Sequence, residues 1–163
     1  LSRRLSHAPH TSYRIRHRMI GLLQRVTRAH VEVDGARIGE IERGLLVLVG
    51  VQAGDGEPQV ERLLERLLGY RVFPDAEGRM NLSLRDIDGG LLLVPQFTLA
   101  ADTRKGTRAG FSTAAAPEDA RRLFESLLHL ATGQHPQVAS GRFGADMQVS
   151  LVNDGQVTFW LET

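Results

Sequence analysis

The sequence predicts a single α/β domain of the α+β kind, with an antiparallel-rich mixed β-sheet, barrel-like in form, packed by two long helices. Three observations predict it. Residues 45–51 form a continuous apolar run behind Gly44, the pattern of a strand covered on both faces. Two later stretches carry apolar side chains at helical spacing. Three strand-like pieces, residues 137–143, 147–152 and 157–161, close the chain.

Taken in order, residues 20–26 and 29–33 are short β-favouring runs after Met19. Asp34 and Gly35 both tolerate positive φ, so they read as a hairpin turn into residues 37–41. Pro58 occupies a favoured first helical position. Behind it Val60, Leu63, Leu64, Leu67 and Leu68 make one stripe, with Glu61, Arg62, Glu65 and Arg66 opposite. Residues 74–78 are a turn, and residues 91–94 open another buried strand. Pro117 starts the second helix, whose core face is Leu123, Phe124, Leu127, Leu128 and Ala131. Asn153, Asp154 and Gly155 read as a tight turn between the last two strands. No repeat or linker follows residue 18.

A chain of 163 residues is sized for one core, and 42% hydrophobic with 24% charged residues is ordinary for a soluble globular domain. No apolar run approaches the ~20 residues of a membrane-spanning helix. The absence of cysteine excludes disulfides, thiolate nucleophiles and zinc sites that use sulfur, and fits a cytoplasmic address. The net charge of +1 is unevenly spread. Residues 1–18 hold five arginines and no acid, which leaves residues 19–163 at −4. An anionic partner such as RNA must therefore be held locally. Residues 1–18 have no apolar period, and we expect them to be a disordered, dispensable extension ahead of a domain spanning residues 19–163.

Several chemistries are excluded by pattern. There is no phosphate-binding glycine loop, and His30, His129 and His135 lack metal-ligand spacing, so no metal or cofactor is expected. Two segments remain. Residues 94–99, containing Gln96, Phe97 and Thr98, read by composition as a buried strand running into a polar loop. A strand end also supplies fixed backbone N–H groups and a hydroxyl, the parts of an oxyanion site. Arg104, Lys105 and Arg108 in the following loop are either phosphate contacts or simply solvated. Residues 151–158 read by composition as a hairpin.

The runs at residues 22–26, 70–73, 80–83, 96–99, 141–147 and 153–155 occur in the order found in bacterial D-aminoacyl-tRNA deacylases. From Met19 to its end the chain resembles that family. The resemblance implies a cofactor-free homodimeric ester hydrolase that removes D-amino acids and glycine from the 3′ end of tRNA, proofreading translation. It implies that Gln96, Phe97 and Thr98 line the catalytic pocket, with Met147 nearby. It also implies that Gly155 belongs to a dipeptide reaching across from the partner subunit to hold the substrate amino group, braced by Arg25. The ester is already activated, and the tRNA's own 2′-hydroxyl is implied as a helper, so Thr98 is read as positioning substrate rather than attacking it.

This sequence departs from the family pattern at three places. Pro95 stands where a serine precedes Gln96, Gln156 replaces the proline after Gly155, and Ala109 with Gly110 replaces a Pro-Ser pair. A cis bond costs ~0.5–1 kcal/mol before proline and ~2.5–4 before other residues. The Gly155–Gln156 bond is accordingly expected to be trans. On that basis two alternatives stand beside the main reading: a deacylase of relaxed chirality, and a non-catalytic aminoacyl-tRNA-binding relic.

Overall fold

The computed structural model describes residues 18–163, and the architecture below is theirs. Strands β1 (Ile20–Val33), β2 (Ala36–Ile41) and β3 (Gly44–Gly50) are followed by helix α1 (Glu57–Gly69). The small hairpin β4 (Phe73–Pro74) and β5 (Met80–Leu82) and the single turn α2 (Leu84–Ile87) lead to β6 (Gly90–Pro95). A 3₁₀ turn (Phe97–Ala100), helix α3 (Pro117–Gln134), β7 (Val138–Ser140) and β8 (Gln148–Glu162) complete the domain.

Among the described residues the main sheet runs β2-β1-β3-β6-β7, and β8 pairs with β1. β1 is antiparallel to β2, β3 and β8, whereas β3–β6 and β6–β7 are parallel. The sheet is therefore mixed and antiparallel-rich, as the sequence predicts. It curls until its two ends meet. Gly39 of β2 lies so close to β7 that a Cβ there would stand 2.6 Å from the Ser140 carbonyl oxygen. The result is a nearly closed barrel.

The curl explains the unbroken apolar runs. Leu46, Leu92 and Val94 point into the barrel with Val26, Ala29, Val31 and Ile41. Their neighbours Leu45, Val47, Leu91 and Leu93 point outward against Val60, Leu63, Leu67 and Leu127 of the two long helices. Side chains alternate with period two along each strand, so both faces of β3 and β6 must be apolar. The helix stripe is buried as the spacing predicts, from Val60 to Leu68.

Two expectations change. Residues 20–26 and 29–33 lie in one 14-residue strand, and residues 148–152 and 157–161 belong to one 15-residue strand that Met147 precedes. The predicted hairpin turn at Asn153–Gly155 does not form, because both flanks pair with β1 instead of with each other. The register jumps from Gln24↔Thr158 to Val26↔Asn153, so residues 154–157 bulge out opposite Arg25. The turn at Asp34 and Gly35 does form, with φ of 51° and 77°. Of the proposed N-terminal extension only Arg18 is described. It pairs with Glu162 at 3.1 Å, and its carbonyl accepts from the Gln52 amide.

Candidate active site

β6 ends at Pro95, and the backbone N–H of Gln96 still donates to Val49 O at 2.8 Å, extending the parallel ladder by one residue. The chain then tightens into the 3₁₀ turn, with Leu99 N donating to Gln96 O and Ala101 N to Thr98 O. Phe97 and Thr98 begin this turn. Their N–H groups have no acceptor among the described residues, the usual state of a helical first turn. The Gln96 side chain folds over the turn, and its Nε2 donates to Thr98 Oγ1 at 2.6 Å.

The turn separates two cavities. One, of about 280 Å³, is lined by Pro95, Gln96, Phe97, Met147, Val149 and the loop at residues 144–146. The other, of about 550 Å³, is lined by Thr98, Gln52, Asp102, Arg104 and Trp160 among others. Phe97 is 58% exposed and meets Phe111 at 5.3 Å between ring centroids, an apolar lip at the turn. Pro95, Gln96, Phe97 and Met147 are thus brought together, while Thr98 contributes to the neighbouring cavity.

Met147 reaches its place through Gly141, which opens the 141–147 run but was given no role of its own by the sequence. A Cβ on Gly141 would lie 2.7 Å from Met147 Sδ and 3.3 Å from Pro95 Cδ. Gly141 is buried and donates its N–H to Leu93 O. Gly141→Ala should push the flexible thioether into the cavity, lowering kcat/KM roughly tenfold at a stability cost of about 1–3 kcal/mol. Adding Met147→Val should recover most of the lost activity. Steady-state kinetics on the single and double variants check this, and no recovery would place the fault in the backbone.

The second site segment sits on the β8 bulge. Arg25, with a side chain 13% exposed, donates from Nη1 to Val72 O at 2.6 Å and from Nε to Asp154 O at 3.2 Å. Its Nε also pairs with the Asp154 carboxylate at 3.1 Å. Asn153 Nδ2 donates to both Arg25 O and Val157 O, closing the bulge from the other side. The Gly155–Gln156 peptide bond is cis, which corrects the expectation of trans. That expectation weighed the missing proline ring alone, and the bulge has clamps on both flanks. Gly155 and Gln156 are exposed and line neither cavity, so one chain holds the candidate site in two separate parts.

In the polar loop after the turn the one acid, Asp102, is taken up by Arg104, while Lys105 and Arg108 make no ion pair among the described residues. Arg104 grips Asp102 through Nε at 2.9 Å and Nη2 at 2.8 Å. These bonds lower the Asp102 carboxyl to about 2, with the Arg104 side-chain contact as the main cause. Asp102 is therefore ionised at every physiological pH and too weak a base to draw a proton from a hydroxyl. No three His, Asp or Glu side chains converge as a metal set among the described residues.

Comparison with known proteins gives a consistent result. Residues 22–162 match the family described as D-Tyr-tRNA(Tyr) deacylase. The D-aminoacyl-tRNA deacylase of Alkalilimnicola ehrlichii is 67% identical over 144 residues, covering 88% of this chain and 96% of that one. A solved structure of a c-Myc DNA unwinding element binding protein superposes with a TM-score of 0.84 at 37% identity, covering 88% of this chain and 98% of that one. A probable eukaryotic D-amino acid tRNA deacylase superposes at 0.76 over 90% of this chain and 100% of that one, and at 18% identity it speaks for the fold alone.

Proposed function

The chain belongs to the D-Tyr-tRNA(Tyr) deacylase family, and on that premise we propose that it frees tRNA of D-amino acids and glycine as a cytoplasmic homodimer. Its reaction is hydrolysis of the ester joining amino acid to tRNA. One observation carries this reading: the family match over residues 22–162 contains every residue of both site segments. The two alternatives are not favoured. A relic or a relaxed enzyme is a poor fit to 67% identity with a relative named for the D-specific activity.

In this reading the cavity beside Gln96 and Phe97 seats the terminal adenosine and its ester, with Pro95 and Met147 forming its wall. The free N–H groups of Phe97 and Thr98 are donors for the charge that develops on the ester oxygen. An activated ester needs a positioned water and such donors more than a strong base. The Thr98 hydroxyl accepts from the Gln96 amide, and an amide N–H cannot take a proton from it. In this reading Thr98, on the neighbouring-cavity side of the turn, positions the site through its contact with Gln96 and does not attack the ester. Thr98→Ala should slow turnover by about 10- to 100-fold without abolishing it, and rapid quenching should find no aminoacyl-enzyme. A covalent adduct on Thr98 would make it the nucleophile and overturn this assignment.

Two features support pairing of the chain with itself. The outer edge of β8 carries no strand among the described residues, and the same strand exposes the apolar side chains of Val152 and Trp160. A second copy also supplies the Gly155–Gln156 bulge that a single chain keeps away from its own Gln96 cavity. No helix among the described residues is long and apolar enough to cross a membrane.

A further inference from the structure

We infer that Arg121 of α3 is an RNA phosphate-binding residue at the rim of the Gln96 cavity, a reading that rests on the deacylase function proposed above. The domain is acidic overall, at −4 over residues 19–163, so a polyanionic substrate must be met by particular cations. Several arginines are already taken up in ion pairs. Arg104 is held by Asp102, Arg122 by Glu57 and Asp119, Arg25 by Asp154 and Arg18 by Glu162.

Arg121 differs from its neighbour Arg122. Among the described residues it makes no ion pair, and its guanidinium lies over the Phe143 ring at 5.0 Å from the centroid. Stacking fixes the plane of the group and leaves its N–H edges for an acceptor. Its position ties it to the site. The Nη2 lies 3.7 Å from where a Cβ on Gly144 would stand, and Gly144 lines the cavity with Gln96, Phe97 and Met147. Both Arg121 and Gly144 are exposed. An RNA 3′ end brings a phosphate with every nucleotide, so a cavity that seats the terminal nucleoside leaves a phosphate at its rim.

The test compares three forms of the full-length chain on D-Tyr-tRNA and on the short substrate 3′-D-tyrosyl-adenosine, across a salt series. Arg121→Met keeps the packing on Phe143 and removes the charge, whereas Arg121→Lys keeps the charge. Arg121→Met should raise KM for the tRNA roughly tenfold at low salt. It should also flatten the plot of log kcat/KM against log salt by about 0.7, the value of one single-strand phosphate contact. Arg121→Lys should recover most of both effects, and on the short substrate the Arg121→Met penalty should shrink below about twofold. An unchanged KM and salt slope in Arg121→Met, or equal penalties on the two substrates, would overturn the assignment while leaving the deacylase reading intact. A wild-type chain that releases no D-tyrosine from either substrate would take both down.

Discussion

Arg25→Ala should lower kcat/KM on D-Tyr-tRNA roughly a hundredfold and destabilise the domain by about 1–3 kcal/mol. The effect comes from one side chain serving two distant segments. Its Nη1 satisfies the carbonyl of buried Val72, and its Nε holds the backbone of Asp154 at the root of the bulge. The Arg25–Asp154 ion pair adds little by itself, because the Asp154 side chain is 45% exposed and solvent screens it. The stability cost is mainly the Val72 carbonyl left without its donor, which at this chain length lowers Tm by several degrees. The activity cost is positional: a freed bulge no longer presents Gly155 and Gln156 at a fixed place. Arg25→Lys should recover little, since a single ammonium cannot replace a planar group that donates in two directions. Thermal unfolding and kinetics check both parts. Activity within threefold of wild type would show that the bulge holds itself.

Placing lysine at Val152 and Trp160 together should give a folded monomer with activity reduced at least roughly a hundredfold. Both residues are exposed in one chain, at 40% and 49%, on a strand whose far edge is unpaired. Charge there opposes covering by a second copy without entering the core. Sedimentation measures the state and deacylation the consequence. An active monomer would contradict the shared site. A mixing experiment tests the sharing more finely. Chains carrying Arg25→Ala should complement chains carrying Gln96→Ala, since each mixed dimer assembles one intact site. Random pairing then restores about a quarter of wild-type activity.

Much of the fold was legible because burial and period agree. The Val60–Leu68 stripe and the two-sided apolar strands β3 and β6 report their surroundings directly. The bulge was not legible. Asn153, Asp154 and Gly155 have the composition of a tight turn, and only the pairing of both flanks with β1 shows that they are an excursion within one strand. For the same reason the state of the Gly155–Gln156 bond was misjudged, since its clamps come from residue 25, far away in the chain. In the site, Gln96, Phe97, Met147 and Pro95 were found through resemblance and share a cavity. Gly141 opens one of the runs that carry the resemblance, but its composition does not say that it admits a sulfur atom; Arg121 left no signal, because an arginine stacked on a ring looks ordinary in sequence.

The most direct test of the central claim is a side-by-side deacylation series with purified full-length chain. The rates to measure are those of D-Tyr-tRNA, Gly-tRNA, L-Tyr-tRNA and L-Ala-tRNA under one buffer. The account predicts rapid release of D-tyrosine and glycine, with the two L-charged tRNAs surviving as long as they do without enzyme. Hydrolysis of L-Ala-tRNA at a rate comparable to D-Tyr-tRNA, or no hydrolysis of D-Tyr-tRNA at all, would contradict it.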